Sequence, residues 1–462
     1  MALVIAGVSS GVGKTTCTLC MLAYLQRYGV QSFKVGPDYI DPMFHQHVTG
    51  RPCRNLDPML TDPEYVQQCF ALHTRAVDFA LVEGVMGLFD GISFESTTDF
   101  ASTAHIARLL DLPVLLVIDC SRLSGSVGAI AHGYRSFDPR ITIAGVVLNR
   151  VGSDRHLELL EAALLPLHLP ILGVLRRQDN ITIPDRHLGL VPTAEIHALD
   201  AIIDKLAHLG ENSFDWEQLI PLVQCSPKSP IPFPGVARER GHAAIPMQRS
   251  RPRLAIARDA AFSFYYQDNL DLLEQLGAEL IPWSPLADKS LPDRVQGLYF
   301  GGGFPEMFAQ QLAENIPVRQ ALRSAILTGM PTYAECGGLM YLCEFLVDFA
   351  GKSWPMVGVL PTSTIATKRL TLGYRQAIAL RDSPLLRTDV VVRGHEFHRS
   401  QLTKAPKEPL YRISGYDSQG QTGTEGWQLY QLHASYIHLH WGGLPSIPAQ
   451  FLQSMSDTGK LS

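Results

Sequence analysis

The chain has 462 residues, 46% of them apolar and 18% charged, and a net charge of −5. At ~100–200 residues per domain this length predicts two or three domains, and the apolar share excludes a disordered chain. The acidic balance argues against a general nucleic-acid binder.

Eight cysteines, at 17, 20, 53, 69, 120, 225, 336 and 343, are too sparse for a disulfide scaffold and fit a reducing cytoplasm. The apolar start 2–7 has no basic region before it and reads as a first strand, not a signal peptide. No apolar run approaches the ~20 residues needed to span a membrane, so no membrane partner is expected.

The segment from Gly7 to Thr16 follows that strand and opens a helix predicted over 15–28, in which Cys17 and Cys20 stand one turn apart. Its glycines let backbone amides close round phosphate, and the helix N-terminus adds partial positive charge. Gly11, Val12, Gly13, Lys14, Thr15 and Thr16 are therefore nucleotide-binding candidates, with Lys14 on the phosphates and Thr15 on Mg²⁺. The usual first glycine is displaced by one residue, to Gly7.

Strands are predicted at 32–36, 79–83, 113–118, 143–148 and 171–175, with helical stretches such as 100–111 between them. This alternation implies parallel strands with helices on both faces. Lys34, Asp38 and Asp41 surround the end of the second strand, and Glu83 ends the third. Asp90 lies on the glycine-rich loop after Glu83. Glu83 and Asp38 join Thr15 as Mg²⁺ candidates. Lys34, Asp38, Asp41 and Asp90 suit a site that positions a second anionic substrate for attack on the γ-phosphate. Asn149, after the fifth strand, either reads an adenine edge or serves as an ordinary turn residue.

Prolines at 227, 230, 232, 234, 246 and 252 mark a connection. The expected division is 1–208, a linker 209–250 and a second domain 251–460. Strands at 253–257, 278–282, 296–300 and 331–334 repeat the α/β theme, and runs near 388–393 and 435–440 are expected to finish a mixed sheet.

Cys336 stands between a strand and a helix, with Ala334 and Gly338 two residues to either side, as a nucleophile on a tight elbow requires. The helix N-terminus is expected to lower its pKa. Gly302 and Gly303 end another strand and can turn amides toward an oxyanion. His438 and His440 offer a base for Cys336. His395, Glu396 and His398 are too loosely spaced for a metal site and read as packing or substrate contacts.

At these residues the chain resembles the cobyrinic acid a,c-diamide synthase family over essentially its whole length. The resemblance rests on Lys34–Pro42, Glu83–Gly91, Arg186–Val191, Gly394–His398 and Ser435–His440. It implies a P-loop NTPase-like domain of the dethiobiotin-synthetase type, followed by a flavodoxin-like class I glutamine amidotransferase domain. The implied reaction is ATP-dependent amidation of the a and c acetates of cobyrinate, with Mg²⁺ as cofactor and L-glutamine as nitrogen source. Cys336 then forms a glutamyl thioester and His438 raises its nucleophilicity. In the wider class an acid follows that histidine two positions later, where this chain has His440.

Arg54, Arg176, Arg177, Arg186 and His187 are candidates to hold substrate carboxylates, each as readily an exposed surface charge. A homodimer is admitted as the assembly. Competing readings are the same chemistry on hydrogenobyrinate or nickel sirohydrochlorin, a cobyric acid synthase, or a nucleotide-switch ATPase with an inert amidotransferase tail.

Overall fold

The computed structural model describes residues 2–94, 97–177, 185–186, 189–196, 198–225, 251–416 and 422–458. The chain divides into two compact units, Met1–Pro58 with Asp62–Phe233, and Met59–Thr61 with Pro234–Ser462. No helix among the described residues is long and apolar enough to cross a membrane.

The first unit is built on seven parallel strands: β1 (Leu3–Gly7), β2 (Val30–Val35), β3 (Arg54–Leu56), β4 (Phe79–Glu83), β5 (Val114–Asp119), β6 (Ile143–Val151) and β7 (Ile171–Arg176). Their order is β3-β2-β4-β1-β5-β6-β7. β1 lies between β4 and β5 and is buried along its whole length, as a central parallel strand covered on both faces must be. The ends of β1, β2 and β4 therefore deliver Gly7, Val35 and Glu83 to one edge, where open α/β sheets take their ligands.

Helix α1 (Lys14–Leu25) starts directly from the glycine loop, with Gly13 left-handed at φ 98°. α2 (Ile40–Thr49) follows β2. α3 (Pro63–Thr74) begins with the Asp62 side chain accepting from Tyr65 N–H and proline at its first position, a strong start signal. α4 (Thr103–Leu110), α5 (Ser126–Phe137) and α6 (Asp154–Leu164) complete the alternation.

Residues 209–225 are not a linker. α7 (Leu199–Asn212) runs through the expected boundary, and α8 (Trp216–Val223) follows, capped by Asp215. The prolines that mark the connection, 227 to 252, all lie after α8, so the expected start at 209 came too early. The segment 226–250 lies outside the described residues.

In the second unit, β8 (Arg253–Ala257), β9 (Glu279–Trp283), β10 (Gly297–Phe300) and β11 (Thr332–Glu335) form a sheet with two later strands. A second sheet follows in sequence: β12 (Phe345–Val347), β13 (Ser353–Pro355), β14 (Thr364–Ala379), β15 (Val391–Leu402), β16 (Tyr411–Gly415) and β17 (Thr422–Glu425). β18 (Trp427–Leu429) and β19 (Leu432–Ser435) return to the first sheet, giving β9-β8-β10-β11-β19-β18, and β20 (His438–Leu439) joins the second beside β15.

The expected single mixed sheet is thus two sheets. The run near 388–393 starts β15, and 435–440 is split between them. β14 and β15 pair antiparallel over most of their lengths, with many residues half-buried, so their hydrophobic signal is weak. Helices α9 (Gln267–Gln275), α10 (Ala309–Glu314), α11 (Ile316–Leu327), α12 (Gly337–Leu342) and α13 (Ser446–Thr458) complete this unit.

Candidate active sites

In the first unit the glycine loop closes on its own lysine. Lys14 is buried, and its Nζ donates to the carbonyls of Ser9 and Met86. Burial, with the neighbouring Lys34 charge, lowers its pKa to about 8. A Cβ on Gly7 would stand 2.6 Å from Val12 Cγ2, so the displaced glycine is required where it is. Asn149 is buried; its Nδ2 donates to Val12 O (2.8 Å) and its Oδ1 accepts from Arg150 N–H (2.9 Å). Its amide thus braces the loop from the end of β6.

Beside the loop, four side chains from four elements converge: Thr15 of α1, Lys34 of β2, Asp41 of α2 and Glu83 of β4. Thr15 Oγ1 donates to Glu83 Oε1 (2.7 Å) and lies 3.3 Å from Asp41 Oδ2. Lys34 Nζ donates to Asp41 Oδ2 (2.6 Å), Glu83 Oε1 (2.9 Å) and Gly84 O (3.1 Å), with Asp38 Oδ2 at 3.8 Å. Burial opposes the Lys34 ammonium, but Asp41, Glu83 and Asp38 outweigh it and raise its pKa. Glu83 is likewise held well below the carboxylate range against its burial, by Lys34 and by His45. Burial and the neighbouring Asp38 push Asp41 up. One hydroxyl and several carboxylate oxygens gathered around the Lys34 ammonium form the hard-oxygen set that Mg²⁺ takes. Thr15, Glu83, Asp38 and Asp41 therefore fit the ion chemically.

Two members of this site carry no sequence signal of their own. His45 Nε2 lies 2.6 Å from Glu83 Oε2, and its Nδ1 lies 3.3 Å from Cys53 Sγ. His45 stands one helical turn after Asp41 on α2, a spacing that puts both on one face. Asn55 Nδ2 donates to Gly36 O (2.9 Å) and Asp38 O (2.7 Å), holding the loop after β2. Asp90 is exposed and accepts from Gly87 N–H (2.7 Å).

Of the arginine candidates, Arg54 is buried in β3. Arg176 pairs with Asp154 (2.7 Å), and Arg177 donates to Ser121 O (3.0 Å). Arg186 belongs to a short strand whose side chains are not described, and His187 lies outside the described residues.

In the second unit, Cys336 is the one residue between β11 and α12. It adopts φ 47°, ψ −100°, a strained left-handed conformation for a non-glycine residue, as a nucleophile elbow demands. Its N–H donates to Ser435 O (2.8 Å), and its Sγ lies 3.9 Å from Phe397 O on β15. Gly337 and Gly338 allow the approach of the β10 turn: Cβ atoms there would stand 3.0 Å from Gly303 N and 2.5 Å from Phe300 Cβ. The Gly303 amide is thus beside the elbow. A Cβ on Gly302 would stand 2.5 Å from His438 Cε1, so that glycine makes room for the imidazole.

The expected lowering of the thiol pKa is not found. Burial, and then the charge of Glu306, raise it well above the ordinary range; the Gly337 N–H opposes them without prevailing. A buried thiol among carboxylates stays protonated until a base removes the proton.

His438 is fully buried, with its Nδ1 3.8 Å from Glu335 Oε2. It pairs in register with His395 across β15 and β20, and the two rings are 5.0 Å apart. Burial and the neighbouring His438 lower the His395 pKa. Glu396 accepts from Arg375 Nε (2.6 Å) and lies 3.6 Å from His398 Nε2, while the His398 ring stacks on Tyr436 at 4.0 Å. His440 Nε2 lies 3.7 Å from Asp268.

Comparison with known proteins agrees with both halves. Residues 3–191 match the CobQ/CobB/MinD/ParA nucleotide binding domain, and residues 253–444 match the CobB/CobQ-like glutamine amidotransferase domain. The chain is 57% identical to the cobyrinate a,c-diamide synthase of Synechococcus sp., over 100% of both chains. It is 53% identical to that of Synechocystis sp., over 98% of this chain and 92% of the relative. It is 41% identical to the hydrogenobyrinate a,c-diamide synthase of Streptomyces coelicolor, over 98% of this chain and 96% of the relative.

Proposed function

The chain belongs to the cobyrinate a,c-diamide synthase family, and from that premise we propose that it amidates the a and c acetate carboxylates of cobyrinate, using ATP and glutamine, in cobalamin biosynthesis. The observation that carries the reading is one chain holding both a phosphate loop closed on Lys14 and a cysteine elbow at Cys336.

The two chemistries answer one difficulty. A carboxylate is a poor electrophile at neutral pH, so ATP phosphorylates it first. Ammonia is mostly protonated in water, so it is made from glutamine inside the protein. At the first site Gly11–Thr16 bind the nucleotide phosphates, and Lys14 neutralises them. Thr15, Glu83 and Asp38, with Asp41, would hold Mg²⁺, which supplies charge neutralisation across the phosphates when bound. Lys34 and Asp90 complete the surroundings of the phosphoryl acceptor.

At the second site Cys336 Sγ bonds to the side-chain carbonyl carbon of glutamine, and the carbon–nitrogen bond breaks. His438 takes the thiol proton and hands it to the departing nitrogen, so ammonia leaves. Water then cleaves the thioester to glutamate. The Gly302 and Gly303 turn supplies amides for the oxyanion. Ammonia attacks the acyl phosphate and phosphate departs. The sparse, scattered cysteines support a cytoplasmic setting.

The test is purified protein with cobyrinate, glutamine and Mg-ATP, followed by mass spectrometry of the corrinoid. Two successive carboxylate-to-amide conversions that require ATP are expected. An unchanged corrinoid beside active glutamine hydrolysis would overturn the substrate assignment, and hydrogenobyrinate would be offered next, because one relative at 41% identity carries that name.

A further inference from the structure

The amidotransferase class usually follows its histidine with an acid two positions on, and this chain has His440 there, so the imidazole's orienting partner must come from elsewhere. Around His438 the facing groups include Glu335 at the end of β11 and His395 on β15, with Gly302 of the β10 turn close to the ring. Tyr266 reaches His395 with its hydroxyl at 3.4 Å. The charges of Glu306 and Glu396 reach Cys336. Glu335 presents a carboxylate oxygen to a ring nitrogen of His438, Oε2 to Nδ1 at 3.8 Å.

Glu335 is itself fixed. It is buried, and its Oε1 accepts from Leu439 N–H (3.0 Å) and from the Tyr333 hydroxyl. Two donors on one oxygen aim the other at the imidazole. The Leu439 amide belongs to the residue after His438, so the same carboxylate grips both the backbone and the ring of β20. At 3.8 Å the pair is in ion-pair range without a formed hydrogen bond, and contacts between catalytic groups often tighten when substrate binds.

From this geometry we infer that Glu335, the residue preceding the nucleophile, is the positioning residue that holds His438 with its proton on Nδ1 and leaves Nε2 as the base. The inference rests on the proposed glutaminase role of Cys336 and His438. In the step served, the thiol proton moves to His438 Nε2 and on to the leaving nitrogen, while the Nδ1 proton stays between His438 and Glu335, so no further reactant is needed. The developing imidazolium is stabilised by the adjacent negative charge.

The experiment is steady-state glutamine hydrolysis by the full chain and by Glu335→Gln, over a range of pH. A neutral amide of the same shape is expected to lower kcat by roughly 10²–10⁴-fold with KM for glutamine nearly unchanged. The acidic limb of the pH profile, where the general base takes up a proton, should also shift. Tyr333→Phe removes one donor and keeps the charge, so it is expected to lower kcat by a much smaller factor. The tautomer can be read in the unmodified protein by ¹⁵N-histidine NMR, with His438→Gln to assign its signal. A neutral ring protonated on Nδ1 is expected; a ring protonated on Nε2 overturns the inference, and decides the matter should Glu335→Gln fail to fold. A Glu335→Gln enzyme with unaltered kcat and pH profile overturns it equally. Failure of the unmodified protein to hydrolyse glutamine would instead sink the underlying role of Cys336.

Discussion

Lys14 is buried beside a second lysine, and its pKa stands at about 8. Its charge is what the phosphates meet, so nucleotide affinity should hold below that pH and fall as pH rises through it. Titration calorimetry at pH 7 and pH 9 checks this, and equal affinities would remove Lys14 from phosphate binding. Glu425 gives a separate pH signature in the second unit. It accepts from Ser435 Oγ and Tyr436 N–H, yet burial pushes its pKa up to about 8 from 4.5. An acid whose folded pKa is raised contributes stability present below its unfolded value and lost as pH rises through the folded one. Glu425→Gln should therefore gain on the unmodified protein between about pH 4.5 and pH 8, measured by urea unfolding at both ends. A constant difference would contradict the shift.

Residues whose chemistry follows from neighbours in sequence were legible at this scale. Lys14 and Thr15 stand beside their glycines, and Cys336 stands between a strand and a helix. His45, Asn55 and Glu335 were not, because their partners lie 38, 17 and 104 positions away for Glu83, Asp38 and Leu439. A buried carboxylate beside a cysteine reads as a strand residue until β20 is laid against it. The thiol pKa was misjudged for a related reason. The helix amide is a local feature, whereas burial and Glu306 come from the packed fold.

Among elements, the contact between α1 and α7 is the closest to a hard constraint. A Cβ on Gly210 would stand 2.1 Å from the Cys20 carbonyl oxygen, which belongs to the helix that opens at the phosphate loop. Gly210→Ala must push the two helices apart. It should cost about 1–3 kcal/mol, as overpacking does. Because α1 carries Lys14 and Thr15, nucleotide affinity should fall as well. Thermal unfolding with and without ATP measures both, and an unchanged melting temperature would contradict the close approach. The buried parallel strands were readable as apolar runs, and the core of each unit follows them. β3 and β14 were missed, being respectively three residues long and largely half-buried. A short edge strand and a solvated antiparallel one lack the continuous apolar run that identifies the others.

For the whole molecule, the reading of two units with separate chemistry makes a crossed prediction. Cys336→Ala should abolish glutamine-driven amidation while ammonium salts still support it. Lys14→Ala should abolish amidation from either source while glutamine hydrolysis persists. Each variant is assayed with both nitrogen sources. If Cys336→Ala loses ammonium-driven turnover too, the separation of roles fails. The two-part plan was visible because the phosphate loop and the cysteine elbow stand more than 300 residues apart, each after its own strand. The boundary was not, since α7 and α8 carry the first unit on through residues 199–223, up to the first of the marking prolines.

A thiol kept neutral by its surroundings is also a quiet one. Peroxide and alkylating agents act on the ionised form, so Cys336 should survive air and iodoacetamide better than an exposed cysteine does.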